Sequence, residues 1–362
     1  LIIGVQEEHA PDGQVHNRLV ALPADGSAEP RIIAEGHDFY SFPRVSPDGT
    51  RLVWTTWDHP RMPWDGTDLW VGTLNQDGTL SDVLHVAGGP EESIFQPAWS
   101  PDGTLHLISD RTGWWNLYAL KDGELIPLAP MDAEFGVPQW VFGLTTYDFL
   151  QDGRIACLYS QRGLTHLGVI TPGSGRVEPV ETSFTAFRSI RTAPAGDQVW
   201  VIAASASHPA SVASIDLQTG NATVVRKSLD VDLDPGYLSI PEPIEFPTDG
   251  GLTAHALFYR PANRDFIGPE GERPPLLVLS HGGPTGQTTS ALNLEIQFWT
   301  SRGFAVVDVN YGGSTGYGRA YRERLKGTWG IVDVADCVNA AHYLAQQGEV
   351  DGDRLAIEGG SA

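Results

Sequence analysis

The stretch RLAIEGGSA, Arg354 to Ala362, carries a short apolar run into two glycines and a serine. Its end fits the first four positions of Gly-x-Ser-x-Gly, the strained strand-to-helix turn that lifts a serine above an α/β sheet. Glycine suits a turn with so little room for side chains. Alone, Gly-Gly-Ser-Ala reads as a Gly-rich loop after a strand. It gains specificity from HGGPTG, His281 to Gly286, which follows another apolar run, LLVLS. Acyl transfer needs backbone N–H donors aimed at a developing oxyanion, and glycines permit such exposed turns. In hydrolases built this way one donor comes from the residue after the nucleophile, here Ala362, and another from the loop after the earlier strand, here near Gly283.

Aromatic residues offer walls for an apolar side chain. They include Trp114 in GWWN (Gly113 to Asn116), Phe135 and Trp140. Packing between blades is the plainer reading for at least one of the paired tryptophans. Tyr311 and Tyr317 follow the apolar run GFAVVDVN, at the sheet end where ligands gather, although the loop that carries them can also be purely structural.

Two kinds of element must position these groups. From LLVLS (Leu276 to Ser280) onward, buried-strand runs alternate with helical stretches: GFAVVDVN, then VDVADCVNAAHYLAQQ, then RLAIEG. In the second of the helical stretches Val334, Cys337, Val338, Ala341 and Leu344 fall at helical spacing. Strands alternating with helices give a parallel α/β sheet with crossover connections. EPIEFPTDGGLTAHALFYRPA reads as a hairpin leading into it.

The preceding residues repeat. FPRVSPDGTRLVWTTW is echoed by FQPAWSPDGTLHLISD, and more weakly at Tyr147 to Ser160 and Arg191 to Ser205. Each pairs an apolar run, a Pro/Asp/Gly turn and an alternating β-rich run, which is a hairpin signature. A spacing of about 50 residues is blade-sized for a β-propeller. DLWVGTLNQDG, NLYALKDG and SVASIDLQTG read as the strands closing each unit, and NRLVALPADG (Asn17 to Gly26) as that of a still earlier one. The expected organisation is a partial β-propeller over 1–235 and the first part of an α/β-hydrolase domain over 236–362, both incomplete. A length of 362 residues fits two domains.

Composition narrows the partners. A formal net charge of −22 argues against a phosphate-binding surface and hence against nucleic acid, while it would attract a cationic peptide amino terminus. No run approaches the ~18 apolar residues of a membrane span. Cys157 and Cys337 make no disulfide framework, so a reducing, cytoplasmic setting is acceptable. No His/Cys/carboxylate cluster has metal-ligand spacing, and GGSTGYG (Gly312 to Gly318) lacks the lysine of a nucleotide loop. Neither a metal nor a cofactor is expected. Oligomeric state does not follow from these residues.

LLVLSHGGPTGQ, VVDVNYGGSTGYGRAY, GTWGIVDVADCVNAAHYL and DRLAIEGGSA together resemble the prolyl oligopeptidase family of serine peptidases, nearest its acylaminoacyl-peptidase and aminopeptidase branches. In that family a propeller caps an α/β-hydrolase domain. The resemblance is strong over most of residues 240–362 and looser over the propeller. It implies that Ser361 is the nucleophile, that His281 belongs to the oxyanion loop, and that an aspartate and a histidine base follow in the order Ser, Asp, His. His342 and Asp336 precede the serine and read as helix-face residues, so the chain is expected to be part of a longer enzyme. Related members often carry arginine where Gly312 stands, which leaves that loop's contacts open.

GGPEESIFQPAWSPDG (Gly88 to Gly103) resembles the double-glutamate element of the dipeptidyl-peptidase branch, in which two carboxylates bind a free α-ammonium. This implies a binding role for Glu91 and Glu92, against the plainer reading of an exposed acidic turn. The resemblance implies a peptidase for short peptides or amino-acid amides with a free amino terminus and a hydrophobic preference. Its rivals are an acylaminoacyl peptidase or esterase of the same fold, and a propeller interaction module with an inactive hydrolase domain.

Overall fold

The computed structural model describes residues 1–231 and 233–361. Ala362, an expected oxyanion donor, lies outside the described residues. The first 227 residues form five antiparallel sheets in chain order: one of three strands (Ile2–His9, Val15–Leu22, Arg31–Ala34) and then four of four strands each. Within each sheet, neighbours in sequence are neighbours in space. These are blades of a β-propeller.

The repeated Ser-Pro-Asp-Gly is the turn between the first two strands of a blade. Ser46 donates its hydroxyl to Asp48 at 2.6 Å, and Gly49 adopts φ 75° to close the turn. Ser100, Asp102 and Gly103 repeat this, with 2.5 Å and φ 80°. The sequence repeat is thus a hairpin register mark. The strands expected to close each unit are third strands, because a fourth strand pairs beyond each: Leu80–Gly88 beside Asp68–Leu74, and Glu124–Pro127 beside Asn116–Lys121.

Second strands such as Arg51–Trp57, Leu105–Ser109 and Ile155–Gln161 are buried along nearly their whole length. Neighbouring sheets cover both faces of these inner strands, so they are buried throughout where the sequence suggested alternation. Gln198–Ser205 of the last sheet keeps the alternation, with Trp200 and Ile202 exposed. Val53 and Leu69 of one blade pack with Ile94, Leu105 and Leu107 of the next.

A mixed five-stranded sheet follows. Its order is Glu242–Thr248, Leu252–Tyr259, Ala305–Asn310, Leu276–Ser280, Leu355–Gly359, and the last three strands run parallel. The first two form the antiparallel hairpin expected from the sequence. Helices Leu294–Thr300, Arg319–Arg322 and Val332–Gln346 connect the parallel strands. Asn293 caps the first of these by accepting from the Glu295 N–H at 2.9 Å.

The long helix differs from its expected face. It buries Asp336, Cys337, Ala340, Ala341 and Leu344, while Val334 and Val338 are exposed. Asp336, read as a helix-face residue, lies on the buried face, where it accepts the Gly312 N–H at 2.7 Å and the Thr248 hydroxyl. His342 is exposed on the helix, as read. Among the described residues no helix is long and apolar enough to cross a membrane. Cys157 and Cys337 are buried free thiols.

Candidate active site

Strands Leu276–Ser280 and Leu355–Gly359 pair in parallel with Ser280 opposite Gly359. Their carboxyl ends therefore finish side by side, and the loops leaving them must touch. Ser361 turns there with φ 63°, a left-handed conformation that non-glycine residues adopt at a cost. It is exposed. The other loop is moulded to it: a Cβ on Gly282 would lie 2.7 Å from the Gly360 oxygen and 3.0 Å from the Ser361 Cβ. Only glycine fits so close an approach.

Gly283 donates its N–H to the Ser361 carbonyl at 3.1 Å. The turn of Ser361 aims its carbonyl at this loop, so the donor expected to face an oxyanion is committed in this conformation.

Both ring nitrogens of His281 have partners of their own. Its Nδ1 donates to the Gly282 carbonyl at 2.9 Å, which leaves Nε2 to accept the Ser314 hydroxyl at 2.8 Å. Burial pushes the imidazole below its ordinary range, favouring this neutral form. The ring stacks on Tyr311, centroids 4.5 Å apart at 16°. It supports the loop.

Tyr311 corrects the sequence expectation of a substrate contact. It is 1% exposed, and its hydroxyl donates to the His281 carbonyl at 2.7 Å. The side chain is a pillar under the loop because its polar end is already satisfied. Gly312 is closed as well, since a Cβ there would meet Val332 at 2.6 Å and Arg324 at 3.2 Å.

The glutamate pair is also unequal. Glu92 accepts the Ser109 hydroxyl at 2.5 Å and faces the Arg111 guanidinium at 3.1 Å. That carboxylate has a protein cation, so it is not a vacant partner for an ammonium. Glu91 is exposed. Trp114 is half-buried against the α/β sheet's loop: a Cβ on Gly318 would lie 3.2 Å from its ring, and Gly113 accepts the Arg319 N–H at 2.8 Å. Trp140 reaches the serine's neighbouring loop directly, donating Nε1–H to the Thr285 carbonyl at 2.7 Å.

A buried charge network escaped the sequence reading. Asp110, fully buried, receives Arg319 at 2.7 Å and Arg322 at 2.6 Å. Glu134, equally buried, accepts the Trp115 N–H at 2.9 Å and the Gly318 N–H at 3.0 Å. Burial pushes Glu134 up to about 7, opposed by Arg322. Arg322 also lies over the Trp115 ring, 4.2 Å from its centroid. The signal was present as Asp110 ending the apolar LHLISD, Glu134 within MDAEF, and two arginines in GYGRAYRE. Among the described residues no group of three or more His, Cys, Asp or Glu could hold a metal ion.

Residues 290–362 match the model of the prolyl oligopeptidase family. The structure of a Mycobacterium tuberculosis puromycin-hydrolyzing peptidase is similar over 99% of this chain and 56% of its own, at 40% identity and a TM-score of 0.92. Dipeptidyl aminopeptidase BIII of Pseudoxanthomonas mexicana is 29% identical over 180 residues, 48% of this chain and 25% of that protein. The acylamino-acid-releasing enzyme of Sus scrofa is 34% identical over 132 residues, 36% of this chain and 18% of that protein. The chain therefore spans about half the length of its solved relative, and a quarter or less of these curated ones.

Proposed function

From a chain that belongs to the prolyl oligopeptidase family, we propose a serine peptidase that removes residues from the free amino terminus of short peptides or amino-acid amides, with a hydrophobic preference. The observation that carries this reading is the fit of Gly282 against Gly360 and Ser361 at the paired ends of two parallel strands. Ser361 Oγ attacks the substrate carbonyl and loses its proton to a histidine base that, with its orienting aspartate, follows in chain order. The amine leaves with a proton, and water then releases the acyl group. The N–H groups of Gly283 and Ala362 hold the oxyanion, that of Gly283 exchanging its bond to the Ser361 carbonyl for one to the substrate.

Residues 1–235 and 236–362 act as two domains in this scheme, with Trp114 and the arginines of the Gly318 loop at their contact. Glu91 meets the substrate ammonium, and Glu92 is positioned beside it by Arg111. Similarity to a dipeptidyl aminopeptidase and the charge of −22 both support a cationic substrate end. Buried free thiols suit a reducing compartment such as the cytoplasm.

A second reading, an acylaminoacyl peptidase, is favoured by one observation: Glu92 is already paired with Arg111. The test is release of a chromophore from a hydrophobic amino-acid anilide by the full-length protein, compared with its N-acetyl counterpart. Cleavage of the free amine alone supports the aminopeptidase. Faster cleavage of the acetylated form selects the second reading. Silence on both removes the peptidase and leaves an interaction module, whereas turnover unaffected by Ser361→Ala removes Ser361 as the nucleophile.

A further inference from the structure

Between the second and third four-stranded sheets, the loop through PQWVFG (residues 138–143) places three large apolar side chains in a row at the surface. Trp140, Val141 and Phe142 are 51%, 55% and 65% exposed. Solvated apolar side chains of this size in one loop mark a binding surface more often than a folding need.

The loop is nevertheless held firmly. Trp140 packs on the buried Trp64, centroids 4.5 Å apart, and its Nε1–H is fixed on the Thr285 carbonyl. Facing it, Phe39 stacks on Trp57 with centroids 5.3 Å apart at 13°. Phe39, Trp57, Trp140, Val141 and Phe142 line a cavity of about 460 Å³, with the polar Glu7 and Asn17 also on its wall. That volume is within the ~300–1,000 Å³ of small-ligand sites, and its aromatic walls match an apolar guest.

The occupant follows from what the cavity adjoins. Thr285 stands three residues beyond Gly282, the glycine in contact with the Ser361 turn. Three extended residues span at most ~10 Å, and Trp140, a wall of the cavity, is the residue bonded to Thr285, so the cavity lies within reach of a side chain of a short peptide held at Ser361. We propose that Trp140, Val141 and Phe142, with Phe39 and Trp57, form a subsite for a bulky apolar side chain of the substrate. This rests on the peptidase reading above and names the residues that set its preference.

The test uses the full-length protein and two substrate pairs, phenylalanyl against alanyl anilide and Phe-Ala against Ala-Ala anilide. The expected result is that Trp140→Ala and Phe142→Ser each lower the Phe:Ala ratio of kcat/KM in one pair by about tenfold or more, the scale of one lost bulky apolar contact. Trp140→Phe keeps the ring and loses the N–H, and is expected to hold the ratio within about threefold of the unaltered protein's. An unchanged ratio in both pairs overturns the subsite. So does an equal loss in Trp140→Phe and Trp140→Ala, which would assign Trp140 to loop positioning. Binding of phenylalaninamide to the Ser361→Ala protein, followed by calorimetry, separates the two claims. A Kd weakened about tenfold by Phe142→Ser supports the cavity even where turnover proves independent of Ser361, and a Kd that Phe142→Ser does not move overturns it.

Discussion

Arg322 and Asp110, 212 residues apart in the chain, meet at 2.6 Å in a fully buried contact. Asp110 also holds the Arg319 guanidinium, and its N-terminal neighbours belong to a propeller blade while both arginines follow the second parallel strand of the α/β sheet. One carboxylate therefore answers two cations from another part of the fold.

Asp110→Ala would leave two guanidinium groups without their shared partner. Loss of one member of a buried pair costs about 3–5 kcal/mol, because the remaining charge stays out of water. Urea unfolding should show that loss, and a midpoint within error of the unaltered protein would mean that the network contributes nothing net.

Glu134 gives this region a pH dependence. Burial raises its folded value to about 7, above its ordinary 4.5, so the folded state holds a proton that the unfolded state has already released between those values. Its contribution is complete below about 4.5 and is lost as pH rises towards 7, a change of order 1–3 kcal/mol. Glu134→Gln should flatten the stability profile across that window. An identical slope in both proteins would argue that Arg322 and the two N–H donors keep Glu134 ionised.

Gly282→Ala puts a methyl where 2.7 Å separates it from the Gly360 oxygen. The Ser361 turn must shift, and displacement near 1 Å at a reacting group costs on the order of 100-fold in rate. kcat for the free-amine anilide is expected to fall by that factor, with the thermal midpoint measured alongside to show that the protein remains folded.

The glutamates should separate by role. Glu91→Gln removes the exposed carboxylate, and KM for a free-amine anilide is expected to rise about tenfold, the scale of one charge-assisted hydrogen bond. Glu92→Gln instead strands Arg111, and is expected to affect free and acetylated substrates alike. Equal KM effects in the two variants would restore a paired clamp.

Much of the fold was legible in the sequence. The Ser-Pro-Asp-Gly turns marked hairpins because Ser46 and Ser100 satisfy their own turn locally, through an aspartate two residues on and a glycine with positive φ. The parallel strands were readable as apolar runs, and the pairing of the HGG loop with the Gly-Gly-Ser turn was foreshadowed by their shared glycines. These features are fixed within a few residues of chain.

Tertiary structure decided the rest. Whether Tyr311 faces a ligand or a carbonyl, whether Glu92 is vacant or spent on Arg111, and which acid meets Arg322 depend on contacts made across tens to hundreds of residues. The helix face shifted for the same reason, since Asp336 found the Gly312 N–H to accept. A residue type states what bonds a group can make. Only packing brings one partner close and excludes water and the others, and that selection gave Glu92 the Arg111 guanidinium and Tyr311 the His281 carbonyl.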